Sequence, residues 1–593
     1  MKLYVNDFKG FAPKIPSRNK PDNFADLVQN ADLDTGDIRC WDHRAADISL
    51  PPQVKYNAIS MFKWRFNNKD YWWSSSASDQ VGCASIQIPD STSGREQMYW
   101  LQNGGTLMVC EGADLLTQTG NIEGDSVIAG FTKPATPTLT VQGTATPYST
   151  PSTYSYVVCA VREWNDGIVD VGPASDPAEN TVTHQMSVTV YPGQTVLVGN
   201  IKGVNAHGNC GANAYYIYRS MSSSTGKSSY GTINKVTFPE GTSPSTVFTY
   251  TDTFGETART PLESLYNTEL PSGAHSFLSL QNGLYCAAKD ATIYVSVLNR
   301  PYAFPQDYQI TLGDNIIRLG CFGNTVVALT DSEPVLITIS DPANPIVKPL
   351  QDPLPIVSGT SCISTSRGVI YSSPIGVILI SNDAPQNLTS KIYDLQQWTD
   401  TGPSQHSFAY FGSKLYMFNR GQTAYKTLDF NEYSYNSLYT KLTNSGLVDN
   451  TDFGYFACGW WDPDTQTYYI HKQNSYTLAC FKMYPQGQFY NNVTWRSKTF
   501  VSAQGAWRPA AMKINQTCRD GSTCYCNVQV VLDGKTIFNK QVTGQTPVKL
   551  PAGYTGTELY FIITINATAK PLAQIHSVTI ASSMVELLEG AAK

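Results

Sequence analysis

Short runs of β-branched and aromatic residues, each preceded by a turn that contains glycine, recur through the middle of the chain. The clearest of them follow one another between residues 281 and 381. A glycine-bearing turn next to a short apolar run is typical of a hairpin of partly buried strands. The turn glycines Gly283, Gly323, Gly368 and Gly412 lie about 40 to 45 residues apart, which is the period of a four-stranded propeller blade. The pattern predicts a β-propeller as the main body of an all-β protein.

Two further units carry the same pattern outside that stretch. One is Trp460–Ile470, with looser spacing, and the other is Gln102–Val109, far upstream. Residues 134–265 differ, because about seven short alternating runs, such as Tyr154–Val161 and Ser187–Tyr191, follow one another there. This number of strands over that length predicts a fibronectin-III-like sandwich. Since blade-like units lie on both sides, the sandwich is predicted to interrupt the propeller.

The remaining parts of the chain are separated by changes in composition. The N-terminal part is rich in proline and is predicted to lie extended along another surface or a neighbouring subunit, with one short helix from about Asp22 to Asn30. The C-terminal part carries alternating runs, a hairpin turn at Asp533-Gly534 and a short helical turn at its end, which together predict a small β-sandwich. The predicted domains are 1–52 (extended N-terminal arm), 53–133 (first propeller strands or blades), 134–265 (fibronectin-III-like insertion), 266–510 (remaining blades) and 511–593 (C-terminal β-sandwich).

Composition narrows the functional classes. Charged residues make up only 15% of the 593 residues, and tyrosine is abundant, as half-buried strands require. The formal net charge of −6 argues against a protein that grips nucleic-acid phosphates, because that task needs clustered lysine and arginine. It is compatible with a surface that DNA only passes.

The sequence also bears on where the chain folds. No apolar stretch approaches the roughly 18 residues of a transmembrane helix, and the first residues lack the apolar core of a signal peptide, so neither is expected. The thirteen cysteines are odd in number and scattered, which favours reduced thiols in a chain folded in a cytoplasm.

The densest cysteine group is formed by Cys518, Cys524 and Cys526, and His576 is the nearest distant residue that could join it. A zinc site usually takes four ligands with Cys-x-x-Cys spacing, whereas the spacing here is C-x5-C-x-C. We therefore favour reduced thiols or a disulfide over a metal site, and the sequence leaves the choice among thiol, disulfide and metal open.

Other candidate chemistry is sparse. Asp462 and Asp464 could supply the two carboxyl groups of a glycosidase, but a turn between two strands explains them more simply. The pairs Trp72-Trp73 and Trp460-Trp461 could stack on sugars, but we predict that they are wedged between blades. The seven histidines occur singly and without ligand spacing, so we interpret them as structural: His43, His184, His207, His275, His406, His471 and His576.

Known nucleotide and hydrolase motifs are missing from the sequence. It contains no phosphate-binding loop, dinucleotide fingerprint or Gly-x-Ser-x-Gly elbow. We therefore predict that the protein is not an enzyme, and we assign no catalytic, cofactor-binding or metal-binding residue and no cofactor.

Several phrases, taken in order, resemble a known family. The chain is similar along nearly its whole length to the tail nozzle proteins of short-tailed bacteriophages, which are related to tail tubular protein B. The phrases that carry the resemblance are Phe11–Pro13, Asn30–Gly36, Tyr216–Ser220 with Tyr250–Thr253, Arg300–Tyr308, Val369–Gly376 and Val578–Leu587. No single phrase is specific, whereas their order over some 580 residues is.

The resemblance implies a structural virion protein without a catalytic set. It would form a homohexameric ring at the distal end of the tail, lining the channel for genome ejection and retaining DNA before infection. Its partners would be further copies of itself, portal-proximal tail adaptors, tail fibres or plug proteins, and viral DNA that passes without sequence-specific binding. It would be made and assembled in the host bacterial cytoplasm and would reside in the virion tail. Two alternatives remain: a propeller module of the tail that binds host-surface glycans, or a propeller glycosidase.

Overall fold

Strands dominate the computed structural model of the chain. The structure describes residues 1–589 except for the segments 42–43, 52–59, 67–68, 76–82, 88–95, 103–105, 112–126, 165–168, 203–211, 222–228, 240–241, 244, 256–259, 263–265, 351, 353, 383–384, 412–413, 420–424, 430–447, 451–455, 463, 473–474, 483–491, 503–505 and 567–571. No helix among these residues is long and apolar enough to cross a bilayer.

The first half of the chain contains strands β1 to β25. Their bounds are β1 (Lys2–Asn6), β2 (Ala25–Gln29), β3 (Ala31–Asp32), β4 (Ile38–Cys40), β5 (Arg44–Ser49), β6 (Ser60–Phe66), β7 (Lys69–Ser75), β8 (Cys83–Gln87), β9 (Glu96–Gln102), β10 (Thr106–Glu111), β11 (Val127–Ile128), β12 (Thr138–Gln142), β13 (Ser152–Tyr154), β14 (Tyr156–Glu163), β15 (Val169–Ala174), β16 (Glu179–Asn180), β17 (Val188–Val190), β18 (Thr195–Ile201), β19 (Ala214–Met221), β20 (Ser229–Thr237), β21 (Phe248–Asp252), β22 (His275–Ser279), β23 (Tyr285–Lys289), β24 (Thr292–Val295) and β25 (Gln309–Thr311).

The described part of the second half contains strands β26 to β48 and two short helices. The strands are β26 (Ile316–Phe322), β27 (Thr325–Thr330), β28 (Val335–Thr338), β29 (Ile346–Pro349), β30 (Cys362–Thr365), β31 (Gly368–Ser373), β32 (Gly376–Ile380), β33 (Gln386–Asn387), β34 (His406–Phe411), β35 (Lys414–Asn419), β36 (Tyr425–Asp429), β37 (Val448–Asn450), β38 (Phe456–Asp462), β39 (Thr467–Lys472), β40 (Thr477–Lys482), β41 (Val493–Ser497), β42 (Phe500–Val501), β43 (Ala511–Cys518), β44 (Tyr525–Leu532), β45 (Lys535–Thr543), β46 (Val548–Lys549), β47 (Glu558–Ile565) and β48 (Ala573–Ala581). The helices are α1 (Leu395–Asp400) and α2 (Met584–Glu589), and single 3₁₀ turns lie at Ser17–Asn19, Gln306–Tyr308, Gly359–Ser361 and Pro403–Gln405.

Two compact units share these elements. One comprises Met1–Lys63 and Asp352–Lys593, and the other comprises Trp64–Gln351. The fold is all-β: four-stranded antiparallel meanders of the propeller-blade type, a fibronectin-III-like sandwich that interrupts them, and a C-terminal β-sandwich.

In its described residues, the unit 64–351 holds three blades and the sandwich. The blades are β8–β11, β22–β25 and β26–β29. In the sandwich, one sheet has the order β16-β12-β18-β21 and the other β15-β14-β19-β20. Alternate residues of both sheets, such as Leu139 and Val198 on one and Val158 and Ile217 on the other, share one buried core. This inward and outward alternation follows from the two-residue period of a strand.

The part of the other unit that the structure describes also holds three blades, together with the C-terminal sandwich. The blades are β30–β33, β34–β37 and β38–β40, and the N-terminal strand β5 supplies the fourth strand of the last one. In the sandwich, the strands β3, β4, β48, β43 and β46 form one sheet, with β1 also paired to β48. The strands β2, β41, β47, β44 and β45 form the other, which continues into the blade β34–β37 through the pairing of β2 with β37. Residues 1–40 are therefore part of this sandwich, and Phe8, Val28 and Ile38 are fully buried in its core.

The predicted glycine turns are confirmed where the structure describes them. Gly283 and Gly323 have positive φ between the first and second strands of their blades, and Gly368 begins such a second strand, also with positive φ. Gly412 lies outside the described residues. The hairpin turn at Asp533-Gly534 is confirmed as well, because both residues have positive φ and join β44 to β45. The helical turn at the C-terminus is confirmed as α2.

The second strand of a blade explains the continuous apolar runs of the sequence. All six residues of β27 and all six of β31 are buried. A strand that is covered on both faces must be apolar or small at every position, rather than at every second one. The run Thr325–Thr330 therefore marks an inner strand of a blade.

The helix predicted from Asp22 to Asn30 is wrong. The segment forms β2, which pairs with β41 through Val28 and Trp495. Phe24 and Val28 are buried. The capping signal is local and favours a helix. Burial of the segment against the sandwich core outweighs it, because that burial stabilises the strand by more than one isolated helical turn would be stabilised.

Candidate functional site

The cysteine group of the sequence analysis lies at the end of the C-terminal sandwich. Cys524 and Cys526 are buried in the sandwich core, and Cys518 packs against it. The Cys524 thiol donates to the carbonyl of Thr517 over 2.8 Å, and the Ser522 hydroxyl donates to Cys518 Sγ over 3.3 Å. Burial, and secondarily the neighbouring Cys524, raises the pKa of Cys526 to about 12, so its thiol stays protonated at neutral pH. None of the three forms a disulfide with another described cysteine.

His576 makes its hydrogen bonds to residues other than these thiols. Its Nε2 lies 2.7 Å from Thr517 Oγ1, and its Nδ1 lies 2.9 Å from Asp37 Oδ1. The Gln574 amide donates to the other oxygen of the same carboxylate over 2.5 Å. Among the described residues, no three His, Cys, Asp or Glu side chains are placed to hold a metal ion.

Strand register brings these distant residues together. In the sheet of the C-terminal sandwich, β48 runs between β4 and β43. Gln574 is opposite Arg39 on β4 and opposite Thr517 on β43, which places His576 next to Asp37 on one side and Thr517 on the other. The inward neighbours Ile575 and Val578 are fully buried, so His576 lies on the outer face of the sheet. The sequence offered no signal for this group, because Asp37 and His576 are 539 positions apart.

The Thr517–His576–Asp37 chain of hydrogen bonds has the connectivity of a nucleophile, a base and an orienting carboxylate. Acyl transfer also requires donors that converge on the oxyanion. Here the hydroxyl stands on a pleated face, and the amides of β43 lie in the plane of the sheet, perpendicular to its side chains. The geometry therefore supports a polar cross-strand tie that joins β4 and β43 through β48.

A covalent probe distinguishes the tie from a catalytic group. We expect that a fluorophosphonate leaves Thr517 unmodified in the intact protein, as peptide mass spectrometry would report. We expect Asp37→Asn to lower the free energy of unfolding by at most about 1 kcal/mol, because the contact between Asp37 and His576 is partly exposed. Labelling of Thr517 that disappears in His576→Ala would contradict the structural role.

Asp462 is held in a buried ion pair with Lys63. Both side chains are almost fully buried, and the ammonium of Lys63 also lies over the ring of Tyr469, 5.4 Å from its centroid. The carboxylate accepts from Thr465 Oγ1 over 2.6 Å and from the Asp464 amide over 3.0 Å. Burial alone would raise the pKa of Asp462, but the hydrogen bonds from Lys63 and Thr465 and the charge of Lys63 hold it below its usual value.

This arrangement bears on the glycosidase alternative. Asp464 is exposed, whereas Asp462 is buried and satisfied by Lys63 and by the turn that follows it. A glycosidase needs two carboxyl groups that flank one scissile bond. The turn interpretation of Asp462 and Asp464 therefore fits their surroundings.

The described histidines have separate environments. His184 is exposed and lies 2.5 Å from Glu179, and His275 lies 2.9 Å from Ser276 Oγ. His471 is fully buried, and neither of its ring nitrogens has a hydrogen-bond partner. Burial lowers the pKa of His471, because the apolar surroundings disfavour the imidazolium. His43 and His207 lie outside the described residues.

His406 is a second buried histidine. Its Nδ1 lies 3.0 Å from the Ser372 hydroxyl, and Trp398 packs edge-on against the ring. Burial lowers the pKa of His406 to about 4, although a hydrogen bond with the Thr401 backbone partly opposes this shift and the charge of Lys426 adds slightly to it. His406 is therefore neutral under ordinary conditions.

Acid should destabilise the protein through His406. An unfolded histidine titrates near pH 6.5, so the unfolded chain binds a proton that the folded chain refuses down to pH 4. Stability is then unaffected above pH 6.5 and falls as the pH drops toward 4, by about 3 kcal/mol in total. Thermal melting between pH 7.5 and 4.5 should show a shallower decline for His406→Gln than for the natural chain. Equal slopes for His406→Gln and the natural chain would refute the assignment.

The paired tryptophans differ in what surrounds them. Trp461 stacks on Phe411 of β34 with ring centroids 5.5 Å apart, and it packs against the core that β34–β36 share with β38–β40. This confirms for Trp461 that the ring is wedged between blades. Trp72 is also buried. The side chain of Trp73 lies outside what the structure describes.

A buried ionic clasp holds the fibronectin-III-like sandwich together. Arg219 on β19 donates to Asp252 on β21 over 2.6 Å, and the hydroxyl of Tyr156 on β14 donates to the same carboxylate oxygen over 2.9 Å. The guanidinium lies 5.2 Å from the ring centroids of both Tyr154 and Phe254. Asp252 is fully buried. Burial, and next the charge of Asp252, raises the pKa of Tyr156 well above its usual value, so the phenol remains a donor.

A second polar cluster seats the sandwich on the blades of the same unit. Arg162 donates to the carbonyl of Ile128 over 2.9 Å and lies over the rings of Phe131 and Trp164, 5.2 and 4.9 Å from their centroids. Asp170 accepts from the Trp164 indole over 2.8 Å. These contacts fix the strands of the sandwich to the segment that leads into it.

Residues of the phrase Arg300–Tyr308 form the other side of this contact between the sandwich and the blades. The Tyr302 hydroxyl accepts from the amide of Val171 over 3.2 Å, and the Tyr302 ring packs edge-on against Phe131. Tyr302, Ala303 and Phe304 belong to the same buried core as the sandwich residues. The sandwich and the adjoining blades therefore share one continuous core.

Comparisons with known proteins find remote structural likeness alone. No protein-family model and no curated protein sequence matches the chain. Among solved structures, Hsv2 of Kluyvelomyces marxianus has 7% identity and a TM-score of 0.26 and covers 52% of this chain and 89% of its own. The WD40 repeats of RRP9 have 6% identity and a TM-score of 0.25 and cover 74% and 99%. The β-propeller domain of Cps50 (Swd1) from Myceliophteria thermophila has 9% identity and a TM-score of 0.23 and covers 43% and 93%. At such TM-scores the likeness carries no argument, and the blades are established by the strand pairing itself.

Proposed function

We propose that the chain is a structural virion protein, the tail nozzle of a short-tailed phage. Six copies form a ring that lines the channel for genome ejection and retains the DNA before infection. The ring contacts portal-proximal adaptors and tail fibres or plug proteins, and it is assembled in the host cytoplasm. The protein performs no chemistry in this role.

One observation carries the proposal: phrases of the family resemblance coincide with residues that hold the domains together. Tyr216–Ser220 and Tyr250–Thr253 supply Arg219 and Asp252 of the sandwich clasp. Arg300–Tyr308 supplies the seat of the sandwich. The opening phrases supply Phe11 and Ala31 to the core of the C-terminal sandwich. Such positions suit a protein whose function depends on stiffness.

The charge of the chain supports the same function. Six copies with a formal charge of −6 carry about −36 together. A channel wall with few charges and a negative net charge repels the DNA backbone, and the DNA can therefore slide along it. Retention would then depend on steric closure by loops, since the wall does not bind phosphates.

Mass measurement tests the proposal. Six copies of the 65.1 kDa chain give about 390 kDa, and mass photometry of the purified full chain should find a species of that mass. Quantitative mass spectrometry of intact particles should find six copies of the chain in each. A chain that stays near 65 kDa at micromolar concentration and is monomeric in particles would refute the proposal.

A further inference from the structure

One face of the fibronectin-III-like sandwich is unlike the rest of the protein. Strands β12, β18 and β21 lie side by side, and their inward residues, among them Leu139, Val196 and Tyr250, pack in the sandwich core. The outward residues of the three strands and of the position after β21 are mainly threonines: Thr138, Thr140, Thr195, Thr249, Thr251 and Thr253. We call this surface the threonine face.

Register arranges the face in rows. Thr140 is opposite Leu197, and Leu197 is opposite Thr251 on the next strand. Thr140 continues this row outward through a 3.2 Å contact with the hydroxyl of Thr181. Neighbouring strands are about 4.8 Å apart, and residues i and i+2 of one strand are about 6.7 Å apart. Each hydroxyl can donate and accept, so the face offers a grid of two-way hydrogen-bonding groups.

The three strands of the face have no outward charged residue, and Glu179 of the neighbouring strand β16, which lies opposite Thr138, is 2.5 Å from His184. The only charged residue of β12, β18 and β21 is Asp252, which is buried and bonded to Arg219. Nucleic acid would need lysine or arginine here. A stable protein interface has aromatic, aliphatic or arginine anchors at its centre, whereas the central outward positions here offer only Leu197. The partner whose chemistry complements this face is therefore neutral and rich in hydroxyl groups.

Two exposed tyrosines stand at one end of the face. Gln142 of β12 pairs with Thr195 of β18, and the loops beyond this pair carry Tyr148 and Tyr191. The loops are tied together, because the Thr146 amide and hydroxyl both donate to the carbonyl of Pro192, over 2.8 and 2.7 Å. Both rings are exposed, Tyr148 completely.

The backbone at Tyr148 adds an independent observation. Its φ is +60°, in the left-handed region that bulky residues rarely adopt. Such a conformation persists only where the surrounding structure imposes it, and it is concentrated at functional positions. The loop therefore holds an aromatic ring in solvent at the edge of a hydroxyl grid.

We propose that the threonine face and its two tyrosines bind neutral polysaccharide. The hydroxyl grid exchanges hydrogen bonds with the sugar hydroxyls, and the tyrosine rings offer apolar faces to the pyranose rings. This site lies on the inserted sandwich and includes none of the paired tryptophans. The proposal does not depend on the nozzle function.

The test uses the full-length protein and soluble neutral polysaccharides. Dextran, galactomannan and a mixed-linkage β-glucan are presented in affinity electrophoresis, with polygalacturonate as the charged comparison. We expect retardation by at least one neutral polymer and none by polygalacturonate. Tyr148→Ala/Tyr191→Ala and, separately, Thr251→Lys should each weaken the retardation at least tenfold.

Matched controls separate binding from folding. Tyr4→Ala removes an exposed strand tyrosine from the other compact unit and should leave the retardation unchanged. All of these substitutions are at exposed positions, so far-ultraviolet circular dichroism should match that of the natural chain. Mass photometry is recorded for each variant.

Three results would overturn the proposal. The first is that none of the three neutral polymers retards the protein, and the second is that the natural chain and the double tyrosine variant are retarded equally. The third is that Thr251→Lys lowers the oligomer mass while no sugar binding is found, which would make the face a contact between copies. A monomeric natural chain that still binds sugar would refute the nozzle and leave this site intact.

Discussion

Asp252→Ala should lower the local stability of the fibronectin-III-like sandwich by about 3–5 kcal/mol, because it leaves the Arg219 guanidinium buried without its carboxylate. The carboxylate also accepts from Tyr156 and from the amide of Phe254, so the substitution removes three hydrogen bonds at once. Hydrogen exchange of peptides from β14 and β19, read in the regime that reports opening free energies, measures this loss.

An exposed ion pair of the same unit serves as the control. Lys133 and Asp176 are 2.6 Å apart, but both side chains are more than half exposed. Asp176→Ala should therefore cost at most about 1 kcal/mol. Arg219→Met/Asp252→Leu should recover much of the stability lost in Asp252→Ala, since an apolar pair needs no charge compensation. A loss in Asp252→Ala no greater than in Asp176→Ala would contradict the clasp.

Asp462→Ala should destabilise the β38–β40 blade by a similar amount, about 3–5 kcal/mol, because Lys63 then loses its buried counter-ion. Asp464→Ala, two residues away and exposed, should cost at most about 0.5 kcal/mol. Exchange of the amides in β39 is the measurement.

The same pair of variants tests the glycosidase alternative. A catalytic carboxyl pair would lose activity with either substitution, whereas a structural ion pair loses stability with Asp462→Ala alone. Equal loss of stability in the two variants would contradict the assignment of Asp462 to the ion pair with Lys63.

The sequence patterns were sufficient where the signal is local. The turn glycines Gly283 and Gly323 mark blade hairpins, because few residue types tolerate positive φ. A single residue in the sequence is therefore enough to predict each turn. The hairpin at Asp533-Gly534 was predictable for the same reason. Continuous apolar runs such as Val326–Leu329 also indicated strands, which were expected to be partly buried and which the structure covers on both faces.

Other features depend on residues that are far apart in sequence. Lys63 and Asp462 are separated by nearly 400 positions, and Asp37 and His576 by 539. Strand β5 joins β40 to complete a blade, although nothing in Arg44–Ser49 specifies that edge. Segment 25–29 has a helix-like cap before it, and its strand pairing with β41 is decided by the core of the sandwich.

Rotational symmetry of the assembled protein is the most direct test of the account. Negatively stained particles of the purified full chain, viewed along the channel and averaged without imposed symmetry, should show six equivalent subunits around an opening. Averages of single 65 kDa particles, or rings with another number of subunits, would contradict it.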